Sequence, residues 1–306
     1  TAGGAAVAGE PAGAAASLAD WIRLLRPRQW VKNTFVLAPL LFSGLVREPA
    51  SVAAALAAFF LFSLLASGVY CWNDVVDSAA DRAHPVKRER PVAAGRIRPG
   101  QALVAGTALT LAAVAGGFAV APRLGLVLAA YLVLNIGYTR WLKAMVLLDV
   151  FAIAAFFVLR LLAGVAAIDV TPSVWLLLCG GLLSLYLGFA KRRHELLLMG
   201  DGSSDHRSVL AHYSAPLLDQ MSGILLSVTV VSYIMYTLTS ETAQQAGSEA
   251  LSYSAVFVLY GVFRYLYLTH QSRGGDPTET LLTDRSLLVA VGLWLAYCAW
   301  ILYRPL

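Results

Sequence analysis

Residues 51–81 read SVAAALAAFFLFSLLASGVYCWNDVVDSAAD. From Ala50 to Trp72 no side chain is charged. At about 1.5 Å per helical residue this run can cross a hydrocarbon core about 30 Å thick. A helix on the surface of a soluble protein would be apolar on one stripe only; this one is apolar all round, as a buried or membrane helix is. Within one turn the character then changes, to Asn73, Asp74, Asp77 and Asp81. The stretch reads as a membrane span that delivers a set of acids to one membrane surface.

Similar runs recur outward from it. Spans are expected at 33–46, 50–72, 101–121, 124–140, 145–168, 173–190, 217–239, 252–270 and 286–303. The first is short and counts as a full crossing only with Arg28–Lys32 at its mouth. The chain is 58% hydrophobic and 13% charged, with mean hydropathy +0.69. Soluble domains carry about 25% charged residues, so one or two ordinary soluble domains are excluded. The fold class is therefore an all-α integral membrane protein of about nine transmembrane helices. Residues 1–19, rich in Ala and Gly, read as a disordered lead-in, and 20–306 as a single transmembrane domain. Cys71, Cys179 and Cys298 lie within or beside apolar runs at no metal-ligand spacing, and no disulfide framework is indicated. Trp21, Trp141 and Trp175 read as interface anchors.

Charge orders the connections. Arg23, Arg26, Arg28 and Lys32 precede the first span, whereas the next connection holds only Arg47. Arg82, Lys87, Arg88, Arg90, Arg96 and Arg98 follow the second span, and Arg140 and Lys143 the fourth. Lys191, Arg192, Arg193 and Arg207 follow the sixth, and Arg273 and Arg285 the eighth. The intervening turns are nearly bare of basic residues. Positive charge stays on the cytoplasmic side, which puts the N-terminus inside and the polar loops in the cytoplasm of a plasma or inner membrane. The formal charge of +5 belongs to this orientation and to anionic substrates, with no nucleic acid implied.

If the second helix continues past Trp72, Asn73, Asp77 and Asp81 stack at i, i+4 and i+8, with Asp74 beside them. Stacked carboxylates repel, and at a helix C-terminus the dipole disfavours them further. Mg²⁺ offsets both: it takes oxygen ligands and bridges carboxylates to substrate phosphates. Behind the acids, Pro85, Pro91 and Gly95 shape a tight loop in which Lys87 and Arg90 can reach phosphates held by that metal. His84 reads as structural. Arg160 lies within a span, where a lone Arg costs at least about 2.5 kcal/mol, so it must face a partner or a polar cavity.

The string Asn73-Asp74-x-x-Asp77-x-x-x-Asp81, followed by Pro85, Lys87, Arg90-Pro91 and Gly95, resembles the first signature motif of the UbiA superfamily of intramembrane prenyltransferases. The resemblance covers residues 20–303. It implies helices around a central cavity with a Mg²⁺-diphosphate held at its cytoplasmic mouth. Asp74, Asp77 and Asp81 would then be catalytic, as ligands of the metal together with Asn73. Tyr138 and Lys143 resemble a diphosphate-side pair of that superfamily.

Most members carry a second aspartate-rich run after the sixth span. This chain instead reads Ala190-Lys191-Arg192-Arg193-His194-Glu195, with Asp201 and Asp205 in a Gly/Ser-rich stretch beyond. Arg26-Pro27-Arg28-Gln29-Trp30-Val31-Lys32-Asn33, Lys191-Arg192-x-x-Glu195, and Asp276-x-x-Glu279 with Asp284-Arg285 together resemble the phosphoribosyl-transferring branch. Its members move 5-phosphoribose from 5-phosphoribosyl diphosphate onto a long polyprenyl phosphate. Three anionic groups would then meet at the cavity mouth. Arg28, Lys32, Lys87, Arg90, Lys143, Lys191 and Arg192 supply the cations, with Asn33 and Arg160 added to the substrate set. Lys191 and Glu195, one helical turn apart, would take a phosphate and the ribose hydroxyls, or else pair with each other. A prenyl transfer to an aromatic acceptor needs fewer cations, and a transporter would place its ionisable groups near the midplane. A homo-oligomer is left open.

A cysteine placed at Ser203, in the loop after the sixth span, is expected to react with an impermeant thiol reagent from the cytoplasmic side only. Labelling from outside overturns the orientation.

Overall fold

The computed structural model describes residues 16–199, 208–239, 249–271 and 283–303, which form helices joined by turns and short irregular connections. In chain order the helices are α1 (Leu18–Leu25), α2 (Ala38–Phe42), α3 (Pro49–Val76), α4 (Ser78–Ala83), α5 (Pro99–Val120), α6 (Pro122–Arg140), α7 (Leu148–Ala167) and α8 (Val174–Met199). They continue with α9 (Ala215–Thr239), α10 (Glu249–Ser252), α11 (Ala255–His270) and α12 (Arg285–Tyr303). Among the described residues eight segments are long and apolar enough to cross a membrane, one of them running 250–270 through α10 and α11.

These eight match the expected spans after the first, with one large difference. α8 does not stop near residue 190 but continues to Met199, so Lys191–Glu195 is regular helix. Of the expected lead-in, residues 1–15 lie outside the described residues. Ser17 already caps α1: its hydroxyl accepts from the Asp20 amide at 3.2 Å, and the Asp20 carboxylate accepts from the Ser17 amide at 3.2 Å. This reciprocal box satisfies two amides that a helix start leaves unpaired.

The first expected span, 33–46, is not one α-helix. Pro27–Leu37 is a 3₁₀-helix, α2 follows, and Leu45–Arg47 is a further 3₁₀ turn. Pro27 and Pro39 remove two amides from any continuous ladder. The 3₁₀ form rises about 2.0 Å per residue against 1.5 Å, so a short segment still covers a long distance. Arg26 pairs with Asp74, Trp30 donates to the Ser67 hydroxyl at 3.0 Å, and Asn33 donates to the Ser63 hydroxyl at 3.0 Å. The contacts step backward along α3, and the chain re-enters α3 at Pro49. The segment is therefore irregular and is not one of the eight helices long enough to cross a membrane among the described residues.

Contacts divide the chain into two compact units, 1–30 with 64–112 and 31–63 with 113–306, with α3 and α5 passing from one to the other. The first unit is built on a close approach of α3 and α5. A Cβ at Gly68 would lie 2.7 Å from the Gly106 carbonyl oxygen. Leu24, Cys71, Val92, Ile97 and Ala102 form its buried cluster, so the loop after α4 is sealed by its own Val92 and Ile97. In the second unit α7, α8 and α9 pack together, with Val150, Phe189, Tyr213 and Leu218 at one buried cluster. Tyr233 bonds Ser254 at 2.7 Å and accepts from the Trp294 indole at 2.7 Å, which ties α9 to α12. Tyr303 donates to the Leu41 carbonyl at 2.7 Å. The outer faces carry exposed Leu126, Val133, Phe151 and Val228, as lipid contact requires. All three cysteines are free.

α2 and the turn before it press on α7 at Gly164, where a Cβ would run into the Val36 carbonyl oxygen and meet Pro39 Cγ at 3.0 Å. Gly164→Ala should therefore lower the melting temperature in detergent. Gly292→Ala, with nothing within 4 Å of its Cβ, should leave it unchanged or raise it. Equal melting temperatures for the two variants would refute the close contact.

Candidate active site

In the first unit the acids keep the register read from the sequence. α3 ends at Val76, yet the Asp77 amide bonds the Asn73 carbonyl at 2.8 Å and the Asp81 amide bonds the Asp77 carbonyl at 2.8 Å. The i, i+4, i+8 column therefore passes through the break into α4. Asp74 and Asp81 are buried; Asn73 and Asp77 are half-buried. Arg90 Nη1 lies 2.7 Å from Asp81 Oδ2 and 3.5 Å from Asp74 Oδ1, and Arg26 pairs with the same Asp74 oxygen. Two buried carboxylates thus converge on one guanidinium. Among the described residues no trio of His, Cys, Asp or Glu is close enough to hold a metal by itself.

The loop that presents Arg90 is fixed by bonds at every turn. His84 Nδ1 accepts from the amides of Val86 and Lys87 at 3.1 and 3.2 Å, which gives it the structural role expected for it. Arg82 donates to the Ala93 carbonyl at 3.2 Å. Arg96 reaches Asp20 at 2.8 Å and the Glu89 carbonyl at 2.5 Å. The Ser17 hydroxyl, and after it Arg96, hold the Asp20 carboxyl below the usual carboxylate range. Gly95 sits at φ +72, where an L side chain would be strained, and the Ile97 amide closes back on the Pro91 carbonyl at 3.1 Å. Lys87 is half-buried on this loop and Arg28 is exposed.

Arg26 was quoted in the sequence only as part of a pattern. It is a working member of the acidic cluster, reached through a left-handed backbone at φ 53 that ends α1 just before Pro27. The Arg-Pro pair carries the signal, because a residue before proline is turned away from helix.

In the second unit three expectations change. Glu195 pairs with Arg192 rather than with Lys191. Arg192, expected on a phosphate, is fully enclosed: its Nε lies 2.8 Å from Asp149 Oδ2, and neither side chain is exposed. One residue along a helix turns the side chain about 100°, so Arg192 faces α7 while Lys191 and Glu195 stay half-buried. Asp149 and Tyr213 were not singled out from the sequence. The Tyr213 hydroxyl donates to Asp149 Oδ1 at 3.1 Å and accepts from the Leu147 amide at 2.7 Å. Burial pushes that hydroxyl's pKa above the ordinary tyrosine value. Leu147 has φ 68, and Lys143 lies four residues before it on the 3₁₀ turn Leu142–Ala144. Tyr138 meets the Phe156 ring edge-on at 5.7 Å.

Arg160 and Asn33, both expected at the substrate, bind each other. Arg160 is 4% exposed and donates to Asn33 Oδ1 at 2.8 Å, to the Phe156 carbonyl at 2.8 Å and to the Tyr131 hydroxyl at 3.4 Å. The rings of Phe62, Phe157 and Tyr131 surround its guanidinium at 5.0, 5.2 and 5.3 Å. Each such contact is worth about 0.5–2 kcal/mol, enough together to offset the cost of the charge. The half-buried Lys32 is the next residue before this clamp. Asp201, Asp205, Ser203, Asp276 and Glu279 lie outside the described residues.

Helices at membrane length, with carboxylates and arginines gathered at their ends, define an integral membrane protein with polar clusters at the ends of its spans. Residues 35–288 match the UbiA prenyltransferase family, and the chain belongs to that family. It is 32% identical over 284 residues to a decaprenyl-phosphate phosphoribosyltransferase of Mycolicibacterium smegmatis, covering 90% of this chain and 89% of that protein. It is also 31% identical over 293 residues to the nodulation protein NoeC of Azorhizobium caulinodans, covering 89% and 92%. Among solved structures, a UbiA homologue from Archaeoglobus fulgidus bound to GPP and Mg²⁺ superposes with a TM-score of 0.70 at 16% identity, covering 93% of this chain and all of that one. That likeness establishes the fold.

Proposed function

We propose that the chain moves 5-phosphoribose from 5-phosphoribosyl diphosphate to a polyprenyl phosphate, with release of pyrophosphate, on the cytoplasmic face of the membrane. The observation that carries this reading is the Glu195 carboxylate. One of its oxygens is held by Arg192, and the side chain keeps 26% of its surface exposed. A carboxylate fixed in this way repels phosphate and accepts hydroxyls, which a ribose offers and a prenyl diphosphate does not. The name of the mycobacterial relative supports the same donor.

The acidic column fits Mg²⁺ by its chemistry. Asn73, Asp74, Asp77 and Asp81 offer only oxygen donors, and Arg90 already places a positive charge where Asp74 and Asp81 converge. Those four residues would hold the ion only together with oxygens of the donor diphosphate, whose charge the bound ion would neutralise. Lys87 and Arg90 stabilise the charge that builds on the leaving pyrophosphate. Lys191, Lys143, Lys32, Arg28 and Tyr138 serve the remaining phosphates. The acceptor phosphate is anionic at neutral pH and needs no general base. Its oxygen bonds the anomeric carbon as the bond from that carbon to the diphosphate oxygen breaks, and pyrophosphate departs with the electron pair.

The family name and the GPP-bound homologue favour a second reading, prenyl transfer from a diphosphate to an aromatic acceptor. Purified protein given labelled phosphoribosyl diphosphate, Mg²⁺ and polyprenyl phosphate should form a labelled lipid, and a divalent-metal chelator should abolish it. Asp77→Asn should do the same without lowering the melting temperature. Glu195→Gln should raise the donor KM about 10- to 100-fold, the loss of one hydrogen bond to a charged group. No labelled lipid, together with turnover of geranyl diphosphate and a phenolic acid, would replace this reading with the second.

A further inference from the structure

We infer that Asp149 and Tyr213 are positioning residues for the sugar donor, acting on Glu195 through Arg192 and on the Lys143 turn through Leu147. The inference rests on the phosphoribosyl-transfer reading and extends it to two side chains that touch no reacting group.

The first line of reasoning is electrostatic. Asp149, Arg192 and Glu195 form an array of acid, base and acid, with the first two fully enclosed and only the last reaching the surface. The array carries one surplus negative charge, and only Glu195 can present it to a ligand. With Asp149 neutral, Arg192 would have Glu195 as its sole counter-ion, and that carboxylate would become a weaker acceptor. A buried ion pair is seldom the stablest way to pack two helices, since apolar residues of similar volume do as well or better. Its presence between α7 and α8 therefore asks for a role in orientation.

The second line is conformational. Leu147 adopts φ 68 with ψ −45, a region L-residues avoid. Its amide is held at 2.7 Å by the Tyr213 hydroxyl, and that hydroxyl is oriented in turn by Asp149 Oδ1. Asp149 stands in the first turn of α7, where the helix dipole favours an acid. One buried carboxylate thus orients, through one oxygen, the hydroxyl that holds the backbone entering α7, and pairs by charge with Arg192 of α8 through the other. The same connection between α6 and α7 carries Lys143, four residues before Leu147 on the turn Leu142–Ala144.

The test is a thermodynamic cycle on the full-length protein. Donor and acceptor KM, kcat and melting temperature are measured for wild type, Asp149→Asn, Tyr213→Phe and Glu195→Gln, and for Asp149→Asn combined with Glu195→Gln. Asp149→Asn should raise the donor KM about 10- to 100-fold, as small misplacements near a reacting group do, and leave the acceptor KM unchanged. It should add nothing in the Glu195→Gln background, and Tyr213→Phe should shift donor KM in the same direction. Independent, additive effects would overturn the inference, because residues acting through one group are not additive. If Asp149→Asn does not fold, Asp149→Asn with Arg192→Gln removes both buried charges and carries the test. A wild-type donor KM in that double variant overturns the inference. Absence of any phosphoribosyl transfer by the wild type would defeat the functional reading itself, and this inference with it.

Discussion

A charge taken out of water must find compensation within a few ångströms, or the group is neutralised or the helix that carries it is expelled. That constraint governs most of what is specific in this chain. The guanidinium of Arg160 finds no carboxylate among the described residues; an amide oxygen, a carbonyl, a hydroxyl and three ring faces compensate it together. Because the amide oxygen belongs to Asn33, the same compensation anchors the irregular first segment on α7. A lysine in place of Arg160 would lack the planar fork that serves these partners at once.

At the membrane surface the same rule acts with carboxylates as the costly groups. Asp74 and Asp81 are buried deeply enough to need a cation, and Arg26 and Arg90 provide it. The arginines arrive from opposite directions along the sequence, one from the end of α1 and one from the loop after α4. In the second unit the array of Asp149, Arg192 and Glu195 is the mirror case, in which a buried arginine is balanced from both sides.

Much of this was legible in the residues. Uninterrupted apolar runs marked eight passages, because in lipid a helix must satisfy its own backbone and so declares itself by length and composition. The acidic column was legible because helical register alone places 73, 77 and 81 together. The first expected span was blurred: Pro27 and Pro39 exchange α geometry for a form with a different rise, which no hydrophobic periodicity reports. The alternative pairing of Glu195 with Lys191 gave way to one with Arg192, because spacings of three and of four are equally good on a helix and only packing decides between them. Asp149 looked like an ordinary acid at a helix start, and Tyr213 like one aromatic among many. Their meaning depends on a contact across more than sixty residues of chain.

α8 has 26 residues and is about 39 Å long, several ångströms more than a hydrocarbon core, and α3 with 28 residues is longer still. Each carries residues of the proposed site near its C-terminal end. A rigid rod longer than the layer it crosses adjusts to that layer by tilting. Under the proposed function, lipids that change the tilt of α3 and α8 would change the height at which Asp74 and Glu195 stand relative to the bilayer, and acyl-chain length would then be a variable of turnover.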